Sequence, residues 1–151
     1  MSKAEIYSFS EVGAGGRYPD WVRELEGKNG VYLIREGAIT GISYIGESHS
    51  NRLFDALTQH FRRWTGDHKT AVPVYSRSRV RVSVVMVPKT HARYLQDELI
   101  CRLEPRDNRS ECGDLFIEPD DGKRPPGYDH DIDAIIEVIS SEIEIVGGDE
   151  E

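Results

Sequence analysis

Two tyrosines open the chemical reading. Gly30-Val31-Tyr32 and Tyr44-Ile45-Gly46 lie eleven residues apart, each in a short apolar run. If those runs are neighbouring antiparallel strands, the two phenols come together on one sheet face. Paired phenols can hydrogen-bond a bound water or a phosphate oxygen. A metal or a cation nearby would lower one pKa far enough for proton transfer. Gly46 keeps side-chain bulk out of the groove beside them.

Further polar groups follow at helical spacing. Arg52, Ala56 and His60 fall at i, i+4 and i+8, flanking the apolar positions Leu53, Leu57, Phe61 and Trp64. That places them at the solvent edge of one helix. Arginine offers a planar fork for phosphate oxygens, and histidine relays a proton near neutral pH. Arg62 and Arg63 extend the cationic surface. Glu98 lies beside the Leu95/Leu99 stripe of a later helix, and one carboxylate is enough to anchor a hydrated Mg²⁺. Asn108 follows that helix and is placed to position a backbone or a phosphate. The remaining histidines (His49, His68, His91, His130) show no metal-ligand spacing and read as surface residues. Cys101 reads as core rather than nucleophile. The stretch Gly13-Ala14-Gly15-Gly16 lacks the Lys-Ser/Thr of a phosphate loop.

These groups need elements to hold them. Residues 30–35 and 42–46 read as a hairpin with Gly37 and Gly41 in the turn. Residues 51–64 read as a helix capped by Ser50 or Asn51. Residues 79–87 (RVRVSVVMV) alternate and then become continuously apolar, as a strand entering a buried sheet does, and Pro88 stops them. Residues 90–103 form a second helix ended by Pro105. The order is β-β-α-β-α, an α+β fold with a three-stranded sheet and flanking helices. Ile6-Tyr7-Ser8-Phe9 is a short strand candidate, and Tyr18 to Trp21 opens a short helix. Residues 132–146 suit either a helix followed by a strand or two strands.

Charge divides along the chain. The whole carries 27 Asp+Glu against 19 Lys+Arg, a net −8. Between Arg52 and Arg106, eleven basic residues outnumber five acidic ones, whereas residues 116–151 hold twelve acidic and two basic residues. A basic middle beside an acidic end suits a phosphate-binding surface with a solvating tail. With two cysteines, the 151 residues make neither a disulfide scaffold nor a multi-cysteine zinc site. Without a signal-type apolar run or a membrane-length one, the expectation is a cytoplasmic protein with no membrane contact.

In order and placement these parts resemble the GIY-YIG nuclease family. The resemblance rests on Gly30-Val31-Tyr32, Tyr44-Ile45-Gly46, the run Leu53…Leu57-Thr58-Gln59-His60, and Glu98-Leu99-Ile100…Pro105…Asn108. It spans 28–109, leaving 1–27 as an N-terminal accessory segment and 110–151 as an acidic C-terminal extension. It implies a DNA endonuclease that hydrolyses phosphodiesters with one Mg²⁺ or Mn²⁺. Tyr32 and Tyr44 would serve as base and partner, and His60 would assist. Arg52 would hold the phosphate, Glu98 the metal, and Gly46, Asn108, Arg62 and Arg63 the strand. So small a surface implies a homodimer or a protein partner for specificity. Two positions depart from the family pattern. Ala56 stands one turn before His60, where the family has arginine, and Gln96 lies twelve residues before Asn108, where it has an acid. Losing both functions would leave a degenerate nucleic-acid-binding or protein-interaction module regulated by its acidic tail.

Overall fold

A computed structural model describes residues 5–37, 41–62, 73–108 and 125–148. Arg63, Trp64, His68 and Cys112 fall outside that set. The fold is α+β, built on one antiparallel sheet of four strands. These are β1 (Glu5–Glu11), β2 (Gly30–Glu36), β3 (Tyr44–Ser48) and β4 (Val80–Met86), in the order β1-β4-β2-β3. The expected sheet had three strands. The fourth is β1, which pairs with β4 across some eighty residues of chain, Ile6 opposite Val85. A partner so remote in sequence leaves little local trace.

The helices are α1 (Asp20–Arg23), α2 (Leu53–Thr58), α3 (Lys89–Leu103) and α4 (Ile132–Gly148). Two single 3₁₀ turns occur at Gln59–Phe61 and Arg77–Arg79. α4 is one helix, which corrects both alternatives considered for 132–146. Ile135 and Ile139, one turn apart, are 5% and 1% exposed against the core, so Glu137 between them takes the outer face.

Strand alternation separates two apolar clusters, one on each face of the sheet. Val31, Leu33, Ile45 and Val85 point to the face covered by α3 and α4. Tyr32, Ile34, Val82 and Val84 point to the other, covered by α2 and by Val12, Val22 and Leu25. Both clusters therefore include residues from outside 28–109: Tyr128, Ile135 and Ile139 in the first, Val12, Val22 and Leu25 in the second. Removing 116–151 would strip Tyr128, Ile135 and Ile139 from one cluster. Among the described residues, no helix is long and apolar enough to cross a membrane.

Candidate nucleic-acid interface beside the third strand

Register places Tyr32 opposite Gly46 on one side and Val84 on the other. Opposed residues share a face, so the Tyr32 ring lies over the Gly46 backbone. A Cβ at position 46 would come 2.3 Å from the Tyr32 hydroxyl and 2.4 Å from Cζ. Gly46 is therefore needed to seat the phenol. It does not open a path for substrate, which corrects its assignment to substrate binding.

α2 is capped without a side chain. Arg52 occupies the N-cap, and Ser48 Oγ accepts from the Arg52 and Ser50 amides at 3.0 and 3.4 Å. Asn51, a candidate cap by sequence, instead adopts φ 65° and exchanges two hydrogen bonds with Asn29. After Thr58 the helix tightens into a 3₁₀ turn. At three residues per turn instead of 3.6, His60 swings inward. It is 0% exposed, not at the solvent edge as the regular spacing predicted.

His60 then meets both tyrosines. Its ring centroid is 5.5 Å from that of Tyr32 and 4.6 Å from that of Tyr44, and the two phenol rings are 6.3 Å apart. The hydrogen-bond pattern fixes the protons. His60 Nδ1 lies 2.8 Å from the Pro73 carbonyl oxygen, which only accepts, so Nδ1 bears the hydrogen. Nε2 is then bare and accepts from the Tyr32 hydroxyl at 2.7 Å. Burial pushes the Tyr32 phenol well above its ordinary value, and the Tyr44 phenol adds to this. Burial also pushes His60 down, against the opposing effect of the Pro73 carbonyl. Moving the proton from Tyr32 to His60 would therefore create two buried charges, each disfavoured where it stands. The pair is held neutral.

A cleft of about 490 Å³ lies between the end of β3 and α2; Ala56, whose carbonyl is 3.2 Å from the Tyr32 hydroxyl, is one of its lining residues. Arg52 and Arg62 stand on its rim, with His49, Ser50 and Gln59 as polar neighbours and Glu47 and Asp55 as the acids. The Arg52 side chain is 68% exposed, and its Nε lies 3.8 Å from Asp55. His49 Nδ1 is 3.1 Å from each Glu47 oxygen. Glu47 and His49 were missed by sequence reasoning; the only signal was their adjacency to the Tyr44-Ile45-Gly46 motif.

The expected metal ligand is elsewhere. Glu98 Oε1 accepts from the Tyr128 hydroxyl at 2.8 Å, and Tyr128 belongs to the cluster on the sheet face away from Tyr32. The correction has a simple geometric cause. Successive helical residues are 100° apart, so Glu98 and Asp97 occupy different flanks of α3. Asp97 is the acid turned toward β3. Burial raises its pKa, with the Glu47 carboxylate contributing, while Gln96 and Arg93 oppose the shift. Gln96 Nε2 lies 3.0 Å from Asp97 Oδ1. Among the described residues, no three His, Cys, Asp or Glu side chains group closely enough to hold a metal ion. Glu98, the single carboxylate that the resemblance implied for Mg²⁺ or Mn²⁺, is engaged by Tyr128 on the other side of the sheet.

Asn108 also has a structural partner. Its amide accepts from the Ile45 N–H at 2.8 Å and donates to the Ile45 carbonyl at 2.9 Å. With the Arg106 and Asp107 amides bonding the Ile42 and Ser43 carbonyls, it laces the edge of β3 shut. It is not placed to hold a phosphate. Nearby, Asp107 accepts from Tyr75 at 2.7 Å, and the Arg106 guanidinium holds its carboxyl below the usual range.

The structure thus brings together Tyr32, Tyr44 and His60, sets Arg52 and Arg62 on the cleft between β3 and α2, and leaves Glu98 across the sheet. Comparison of the chain with protein-family models, with curated proteins and with solved structures returns no match.

Proposed function

We propose that this chain is a GIY-YIG-like module that binds nucleic acid through the cleft beside β3 without cutting it. One observation carries the reading: Glu98, the carboxylate that the resemblance implied as metal ligand, bonds Tyr128 on the sheet face away from Tyr32. Ala56 and Gln96 occupy the other two places where the resemblance would put catalytic groups. What remains is suited to holding a phosphate. Two exposed guanidiniums border a polar groove lined by Ser48, Ser50 and Gln59, and the buried Tyr32–His60 pair packs behind α2. Arginine forks bind phosphate oxygens bidentately, and binding of this kind weakens with salt as counterions are released.

The test pairs two assays on the full chain. Fluorescence anisotropy with labelled single-stranded and duplex DNA, across a salt series, should show affinity falling steeply with ionic strength. The Arg52→Ala/Arg62→Ala variant should flatten that slope by roughly 0.7–0.9 for each phosphate it no longer neutralises. Plasmid incubated with the protein and Mg²⁺ or Mn²⁺ should stay supercoiled. Metal-dependent nicking that disappears in Tyr32→Phe would restore the endonuclease reading. An unchanged salt slope in the double variant would remove the cleft from the interface.

A further inference from the structure

We propose that the contact between His91 and His130 is an acid-opened clasp, which holds residues 125–131, and through them the start of α4, against α3. The inference concerns the sheet face opposite the cleft and is independent of nucleic-acid binding. Both histidines read as surface residues in the sequence. In the fold His91 is 5% exposed, and its Nδ1 lies 2.9 Å from His130 Nε2.

The protons can be assigned one by one. His91 Nε2 lies 3.2 Å from the Pro126 carbonyl oxygen, which only accepts, so Nε2 carries hydrogen and Nδ1 carries a lone pair. His130 Nε2–H must then donate to it. That leaves His130 Nδ1 bare, and this buried atom has no hydrogen-bond partner among the described residues. The neutral state is thus complete as it stands. A further proton on His91 Nδ1 would set two N–H groups against each other at 2.9 Å. A further proton on His130 Nδ1 would place a charge where neither water nor an acceptor meets it.

The clasp joins the parts it would need to control. The Tyr128 ring packs 5.2 Å from His91, 4.8 Å from His130 and 5.0 Å from Tyr94. Its hydroxyl donates to Glu98 on α3. Three residues on, Asp131 begins α4: its carbonyl accepts from the Ile135 amide and its carboxylate from the Ala134 amide. Release of 125–131 would therefore uncover the Tyr94, Leu95 and Leu99 side of α3 and loosen Ile135 and Ile139.

The charged groups around His130 come from both sides. On α3 the group is His91, and on its own segment it is Asp129. Asp129 favours the charged ring, but burial and His91 act against it, and the net effect pushes His130 down. The folded state therefore binds its proton less readily than the unfolded state, whose pKa is about 6.5. Stability from this source is complete above about pH 6.5 and falls as pH drops toward the folded value. The opening equilibrium changes by up to about tenfold per pH unit over that window and levels off below it.

Hydrogen exchange on the full chain tests this, with labelling times scaled for the intrinsic rate at each pH. Between pH 7.5 and 5.5, amides of residues 132–141 should lose protection relative to β2, by up to about tenfold. Amides of α2 in the same samples report any effect of His60 separately. In His130→Gln, which cannot titrate, the acid-dependent loss should vanish. Equal protection of α4 at both pH values in wild type would overturn the proposal, as would an undiminished loss in His130→Gln. Should that variant undock at neutral pH, imidazole NMR on wild type decides instead. A His130 midpoint below 6.5 that coincides with the α4 transition supports the clasp, and one at or above 6.5 refutes it.

Discussion

Replacing Gly46 with alanine tests the central geometric claim about how the Tyr32 ring is seated. Gly46 is not at a positive φ, so no backbone strain is involved. What the new methyl meets is the Tyr32 ring, at 2.3 Å from Oη, 2.4 Å from Cζ and 2.9 Å from Cε2. Ordinary carbon contacts need about 3.5 Å or more, so something must move by about an ångström. Tyr32 has little room, being 2% exposed and bonded to a fully buried His60. Overpacking of this kind costs about 1–3 kcal/mol. At roughly 2–4 °C per kcal/mol for a chain of this length, Tm should fall by about 2–12 °C. Urea denaturation should give a lower midpoint with an unchanged slope. The decisive step is a double-mutant cycle with Tyr32→Leu, whose shorter side chain vacates the space over position 46. Gly46→Ala should cost at least about 1 kcal/mol less in that background than in wild type. Equal cost in both backgrounds, or a cost below about 0.5 kcal/mol in wild type, would refute the claim that the glycine exists to seat the phenol.

Two further outcomes follow from the same structure. Asn108→Ala removes both side-chain bonds to Ile45 and leaves that strand-edge amide and carbonyl unsatisfied, so it should cost about 1–3 kcal/mol. Urea denaturation checks this, together with faster exchange of the Ile45 amide; a loss below about 0.5 kcal/mol would mean the lacing is idle. Arg35→Met should leave stability unchanged or raise it by on the order of 1 kcal/mol. Arg35 is 4% exposed, its Nε has no hydrogen-bond partner, and Arg81 stands opposite, so burial and that second guanidinium both lower its pKa. A thermal melt showing a drop of several degrees would contradict it.

Much of this fold was legible because its signals are local. The alternation and apolar run of β4, the hairpin of β2 and β3, and the leucines of α3 each declare their element within a dozen residues. What was not legible depends on neighbours. The stripe Leu95, Leu99 and Leu103 says which side of α3 faces the core, but not which flank lies against β3 and which against Tyr128. Glu98 and Asp97 are adjacent in sequence and about 100° apart around the axis, so that one unknown decided between them. His60 was misplaced for a different reason, since the i, i+4, i+8 spacing assumes a regular helix and the chain tightens at Gln59. The run Ser140-Ser141-Glu142-Ile143-Glu144-Ile145 alternates like a strand, and only the packing of Ile135 and Ile139 against the sheet assigns it to α4.

The motif residues themselves bear on the proposed function. Each retained element of the GIY-YIG pattern has a role in the fold that owes nothing to a substrate. A Cβ at Gly30 would lie 2.5 Å from the Val85 carbonyl oxygen, so glycine lets β2 and β4 approach. Gly46 receives the Tyr32 ring. Tyr32 and His60 satisfy each other in a site where either alone would be a buried polar group without its partner. Asn108 closes the β3 edge that would otherwise offer its Ile45 groups for pairing. The two positions that the resemblance assigns to contact with phosphate and metal alone hold Ala56 and Gln96. Ala56 keeps a structural function only through its backbone, its carbonyl lying 3.2 Å from the Tyr32 hydroxyl. Motif positions filled where packing uses them, and replaced at Ala56 and Gln96, are what the proposed binding reading expects. In such a chain the motif by itself is evidence of architecture. Chemistry has to be argued from where the carboxylate points, and Glu98 points at Tyr128.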